Sequence, residues 1–137
     1  MKIVICGSMT SIKKMVEIGN NLKKLNHKII LPKFTEEHAE MDNLNKIHLE
    51  SVKNKINHDL IRDYFNEINN ADGVLIINEN KNGIKNYIGG NSFLEMGFAH
   101  VLNKKVFLFN AVPEISYKDE IEAMQPIILN GDLRKLN

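Results

Sequence analysis

Short, continuously apolar runs alternate along this chain with stretches of helical periodicity, and no other feature constrains its fold as much. Lys2 to Cys6 (KIVIC), Lys28 to Leu31, Gly73 to Ile77, Lys105 to Phe109 and Pro126 to Leu129 are the apolar runs. Runs this short read as strands buried on both faces. Between them Ile12, Met15, Val16, Ile18, Gly19, Leu22 and Leu25 recur at helical spacing, with Thr10 or Ser11 as the expected cap. Leu60, Ile61, Tyr64, Phe65 and Ile68 mark a second helix within His58 to Asn70. Asn91 to Leu102 is a third, Lys118 to Met124 a short fourth, and Asp132 to Leu136 a terminal turn. Strand and helix in strict alternation predict an α/β, doubly wound (Rossmann-like or flavodoxin-like) fold. Its parallel five-stranded sheet carries helices on both faces.

In such sheets ligands bind beyond the carboxyl ends of the strands. Three segments are therefore expected to converge on one crevice: Gly7 to Ser11, Asn78 to Gly90, and Asn110 to Tyr117. Phe34 to Asn57 is polar with a thin apolar face and reads as a mobile lid, residues 34–57, on a single domain spanning 1–137. A chain of 137 residues, 43% hydrophobic and 26% charged, fits one domain with a sizeable core.

A net charge of +1 gives no nucleic-acid footprint. Cys6 is the only cysteine, so neither an intrachain disulfide nor a cysteine zinc site is expected. The five histidines, His27, His38, His48, His58 and His100, lack metal-ligand spacing, and no metal is expected. No signal-peptide pattern or membrane-length apolar run occurs, which reads as a cytoplasmic protein. Neither G-x-G-x-x-G nor a Walker motif follows the first strand, and no cofactor is implied.

The chemistry concentrates in Gly89-Gly90-Asn91-Ser92-Phe93-Leu94-Glu95-Met96-Gly97-Phe98-Ala99. Glycines open a helix there and let a ligand approach free backbone N–H groups. Glu95 follows about one turn later among apolar neighbours, where a carboxylate is costly unless it is paired or used. A structural salt bridge to Lys104, Lys105 or Arg62 is the plainer alternative. Gly7 and Ser8 offer close approach and a hydroxyl after the first strand, while Thr10 and Ser11 can simply cap the helix. Asp72, read from position alone, ends a helix and binds loop amides at the wrong end of its strand for the crevice. Tyr87 can stack on a planar base, and Cys6 reads as core.

Taken together, Ile5-Cys6-Gly7-Ser8, Ala71-Asp72 before an apolar strand, and Glu95-Met96-Gly97-Phe98-Ala99 running to Lys104-Lys105-Val106 resemble the nucleoside 2-deoxyribosyltransferase superfamily. That superfamily includes 2'-deoxynucleoside 5'-monophosphate N-glycosidases, and the resemblance covers most of the chain in order. It implies that Glu95 is the nucleophile and that Asp72 is the acid assisting base departure. It further implies that Gly7, Ser8, Gly89, Gly90, Asn91 and Ser92 meet the sugar or its 5' group. It also implies a homo-oligomer in which Glu122-Ala123-Met124 helps to complete a neighbour's pocket, with Met124 contacting substrate. The loop from Lys81 to Ser92 is longer than the family's and holds a single serine or threonine hydroxyl, Ser92, where a phosphate contact is usual. Gly-Gly-x-x-x-x-Glu is more loosely similar to the phosphoribohydrolases, whose spacing is one residue longer.

The reading is cleavage of an N-glycosidic bond in a small nucleoside or nucleotide, with the sugar passing to water or to another base. Lys81, Lys85 and Arg62 weigh toward a phosphorylated ligand. No nucleic-acid polymer or membrane is expected as a partner. The alternative is a nucleotide-binding module of the same fold that performs no turnover.

Overall fold

A computed structural model describes residues 1–33 and 59–137. The lid expected at 34–57 lies outside the described residues, as do His38, His48 and His58. Strand β1 (Lys2–Gly7) leads through a 3-10 turn (Met9–Ser11) into α1 (Ile12–Lys24) and β2 (Lys28–Ile30). After the undescribed segment come α2 (Leu60–Asn69), β3 (Gly73–Ile77), α3 (Gly90–Val101) and β4 (Lys105–Leu108). A short α4 (Lys118–Ala123), β5 (Ile127–Ile128) and a closing 3-10 turn (Leu133–Leu136) complete the described chain.

The five strands are all parallel and ordered β2-β1-β3-β4-β5. This is the flavodoxin-like order, in which the chain reverses its winding between β1 and β3. Side chains alternate across the sheet as strand geometry requires. Ile3, Ile5, Leu75, Ile77 and Phe107 pack on one face with Met15, Ile18 and Leu22 of α1 and with Leu136. Val4, Cys6, Val74, Ile76, Val106 and Leu108 pack on the other with Ile68 of α2, Met96 and Ala99 of α3, and Ile121 of α4. The doubly wound architecture is thus as the alternation predicts. Among the described residues no helix is long and apolar enough to cross a membrane.

Asparagine ends two of the helices. Beyond α1, Asn26 takes left-handed backbone at φ 69°, and the N–H groups of Asn26 and His27 bond back to the Lys23 and Leu22 carbonyls. Beyond α3, Asn103 at φ 57° does the same, with Lys104 N donating to Ala99 O at 2.8 Å. Both are Schellman closures, in which asparagine tolerates the conformation usually given to glycine. At the start of α1 the sequence expectation needs correcting. Ser11 makes no side-chain cap, and Ser8 instead accepts from Thr10 N at the preceding 3-10 turn. Gly73 is required where β3 meets β4, since a Cβ there would stand 2.7 Å from the Lys105 carbonyl oxygen.

Candidate active site

Helix α3 starts from an extended Gly89, whose carbonyl accepts from Phe93 N at 2.9 Å. Its residues then divide by helical spacing. Ser92, Met96 and Ala99 are buried toward the sheet. Asn91, Leu94, Glu95 and Phe98, at positions i, i+3, i+4 and i+7, turn instead to a pocket shared with α2. Helix α2 answers with Leu60, Asp63, Tyr64 and Glu67 at the same spacing, and with Ile61. The chain leaving β2 adds Ile30, Leu31, Pro32 and Lys33, and the chain leaving β1 adds Gly7 and Met9. The rings of Phe65 and Phe98 meet edge to face at 5.2 Å between centroids and pin the two helices together. At Gly7 a Cβ would meet Met15 Sδ at 3.1 Å and the Ile77 carbonyl at 3.3 Å, so a side chain there would disturb the strand ends.

The pocket is mostly apolar, yet it holds three carboxyl groups: Glu95, Asp63 and Glu67. Asp63 is ion-paired with Lys33 at 2.7 Å, a partly exposed pair that contributes little to stability. Glu95 is only partly exposed, and its Oε2 is buried. Two more titratable groups, Cys6 and Tyr64, feel its charge. Burial pushes the Cys6 thiol well above its ordinary value, and the adjacent Glu95 carboxylate adds to the effect through charge and hydrogen bonding. Burial likewise raises the Tyr64 phenol, with Cys6, Glu95 and Glu67 contributing after it. The Tyr64 hydroxyl donates to the Ile5 carbonyl, which ties α2 to β1 one peptide before Cys6.

A second hollow opens across the same β1–α1 loop, lined by Thr10, Ser11, Glu79, Asn80, Lys81, Asn82 and Asn110. It shares no lining residue with the first. Here Lys81 Nζ donates to Ser8 Oγ at 2.7 Å, and Ser8 Oγ lies 3.0 Å from Thr10 Oγ1. Asn78 and Asn110 clasp the ends of β3 and β4. Asn110 N donates to Asn78 Oδ1 at 2.8 Å, while each side-chain amide donates to the other residue's main-chain carbonyl at 3.0 Å. Tyr117 donates to the Ile88 carbonyl and stacks on Phe93 at 4.7 Å, bracing the loop that enters α3.

Gly7, Asn91 and Glu95, three of the residues expected to act together, line one pocket. Ser8 is engaged with Lys81 at the other hollow. Gly89 and Gly90 sit at the mouth of α3, with Tyr87 packed where a Gly89 side chain would be. Ser92 is buried. Met124 ends α4 and packs on its own chain's core.

Asp72 is not with them. It precedes β3 at the amino end of the sheet, where its Oδ2 accepts from Lys2 N at 2.7 Å and its own N donates to Lys2 O at 2.8 Å. Gly7 pairs with Ile77 at the far end of β3. At about 3.3 Å per residue, the strand holds Asp72 about 16 Å from that end. The assisting role that the resemblance gives Asp72 is therefore corrected to a structural one, the joining of β1 to β3. Arg62 and Lys81 also lie away from the Glu95 pocket, Arg62 paired with Asp59 at 2.8 Å and Lys81 with Ser8.

Asp63, Tyr64 and Glu67 were not singled out from the sequence, although their i, i+1, i+4 spacing on α2 put them beside the apolar stripe. The signal was an apolar face that carries a tyrosine flanked by acids. Among the described residues no group of three or more His, Cys, Asp or Glu is placed to hold a metal ion. His27 is buried, with Nδ1 3.2 Å from the chain's amino terminus, and His100 is exposed. Comparison with protein-family models and with curated proteins found no match.

Proposed function

We propose that this protein cleaves the N-glycosidic bond of a small nucleoside or nucleoside 5'-monophosphate, with Glu95 as the nucleophile. The observation that carries the reading is the Glu95 carboxylate in a largely apolar pocket at the β1/β3 switch point, beside Gly7 and Asn91. The sequence resemblance to the nucleoside 2-deoxyribosyltransferase superfamily supports it independently.

The bond between C1' of the sugar and the base nitrogen breaks, and its electron pair leaves with the base. A Glu95 oxygen bonds to C1' as the oxocarbenium-like centre develops. Apolar walls lower the local dielectric and strengthen the attraction between the carboxylate and that centre. Water or a second base then attacks C1' and frees Glu95 as a carboxylate, the proton lost by the attacking O–H or N–H balancing the one taken up by the departed base, which gives hydrolysis or transfer. Gly7 leaves room for the sugar, and Asn91 supplies an amide to its hydroxyls. Asp63 and Glu67 replace Asp72 as the carboxyl groups available to the base, Asp63 accepting hydrogen bonds while held by Lys33. No metal or organic cofactor enters the scheme. The proposal includes a homo-oligomer whose neighbouring chain brings the segment around Met124 to the pocket mouth.

The test is base release from a panel of ribo- and deoxynucleosides and their monophosphates, with and without a second free base, followed by chromatography. Release lost in Glu95→Gln supports the reading, and an exchanged nucleoside makes the enzyme a transferase. A second reading, a binding module without turnover, is favoured by the removal of Asp72 from the site. A nucleotide that protects the fold and is recovered intact would establish it.

A further inference from the structure

Charge is divided along the strand axis of this molecule. All five strands are parallel, so the amino ends of the strands share one end of the fold with the carboxyl ends of the helices that cross back over the sheet. Residues 1–2, 23–28, 70–73, 101–105 and 124–126 make up that end. They hold six lysines, Lys2, Lys23, Lys24, Lys28, Lys104 and Lys105, against one side-chain carboxylate, Asp72. Asp72 accepts from the Lys2 main chain. None of the six lysines is ion-paired among the described residues. Lys23, Lys24, Lys28 and Lys105 are exposed. Glu79, Glu95 and Glu114 stand beyond the other end of the strands, so a net charge of +1 conceals a basic end. Helix dipoles account for part of it, since Lys23 and Lys24 lie in the last turn of α1 and Lys104 follows α3. Lys2, Lys28 and Lys105 begin strands instead. Lys2 and Lys28 are register partners, like charges side by side, an arrangement that costs stability.

Two apolar side chains protrude among these lysines. Leu25, 42% exposed, follows Lys23-Lys24, and Val101, 78% exposed, ends α3 just before Lys104-Lys105. The same segments contain no Arg, Phe, Tyr or Trp. They offer neither guanidinium forks for base edges nor rings on which bases stack. Lysines around protruding aliphatic groups match a layer of anionic headgroups over an acyl boundary. From this placement we infer that the amino end of the sheet docks the protein on an anionic membrane surface, with the lysines over the headgroups and Leu25 and Val101 entering the interface. The expectation of no membrane partner rested on the lack of a spanning run, which does not bear on surface docking. Docking by this end leaves the Glu95 pocket turned toward water, because Gly7 and Glu95 lie beyond the carboxyl ends of the strands. The inference is independent of the reading of Glu95 as nucleophile.

The test is sedimentation of the full chain with vesicles, either phosphatidylcholine alone or phosphatidylcholine with about one third phosphatidylglycerol. The protein should pellet with the anionic vesicles only, and should be released at about 0.5 M salt, where the screening length falls to about 4 Å. Lys24→Glu with Lys28→Glu should weaken binding by about 25-fold or more, at about fivefold for each lysine lost. Lys13→Glu with Lys85→Glu changes the net charge equally away from this end, and should leave binding within about threefold. Val101→Asp, at a position already exposed, should weaken it by about fivefold or more. Circular dichroism checks that each variant is folded. No binding to the anionic vesicles at low salt would overturn the inference. So would equal losses in the two lysine pairs, which would reduce the effect to net charge, or an unchanged Val101→Asp. Retention by single-stranded RNA with no retention by vesicles would give the basic end to another polyanion, and would overturn it as well.

Discussion

The two hollows that flank the β1–α1 loop are built from opposite materials. The Glu95 pocket is walled by helix faces and has its carboxyl groups set in apolar surroundings. The hollow around Lys81 is made of loop residues, with hydroxyls, amides and a lysine already bonded to one another. In the first, carboxyl groups stand in a low dielectric, where we propose that one of them reacts. In the second the same kinds of group are used to hold loops in place. What differs between them is the company each polar group keeps rather than the number of such groups.

The largest expected effects set the two hollows apart. Glu95→Gln should reduce base release by about a thousandfold or more, while Lys81→Ala should change it less than about threefold. Equal losses in the two variants would merge the hollows into one site. Next, Asn78→Ala should cost about 2–4 kcal/mol in denaturant unfolding, because Asn78 is fully buried and its loss strands Asn110 N–H. A loss below about 0.5 kcal/mol would mean that the clasp is not a structural device.

The sequence already contained the alternation, and with it the parallel sheet and the run from Gly73 to Ile77 as a strand. It also contained Glu95, since a glycine-led helix with one acid among Phe93, Leu94, Met96 and Phe98 is visible without coordinates. It did not separate the two hollows. Gly7, Ser8, Met9 and Thr10 are neighbours in the chain, yet Gly7 and Met9 line the Glu95 pocket while the Ser8 hydroxyl and Thr10 belong to the other hollow. Asp72 stands before a strand, where chain direction alone sets it at the amino edge, away from the Glu95 pocket. Asp63, Tyr64 and Glu67 stayed hidden because an amphipathic stripe does not say which element will face it. Nothing in the apolar pattern marked Asn26 and Asn103 as the residues that close helices.

Smaller effects sharpen the contrast further. The raised Cys6 pKa means that the folded state keeps a proton that the unfolded thiol gives up near its ordinary value of 9.0. Its contribution is therefore fully present below that pH and is lost as the pH climbs toward the folded-state value. Alkaline unfolding of Cys6→Ser should be less steep than that of wild type, as followed by circular dichroism, and parallel curves would contradict this. Asp63→Asn should leave stability within about 1 kcal/mol, since its pair with Lys33 is partly exposed. Its mark should fall on KM, raised about three- to tenfold, and an unchanged KM would remove Asp63 from the base side of the pocket.

Incubation with a 2'-deoxy-2'-fluoro nucleoside, followed by intact-mass and peptide mass spectrometry, tests the nucleophile most directly. The fluorine destabilises the positive centre and slows release of the sugar from the enzyme. One sugar added per chain, localised to Glu95 and absent in Glu95→Gln, is the expected result. Released base with no adduct, or an adduct on another residue, would contradict the assignment of Glu95.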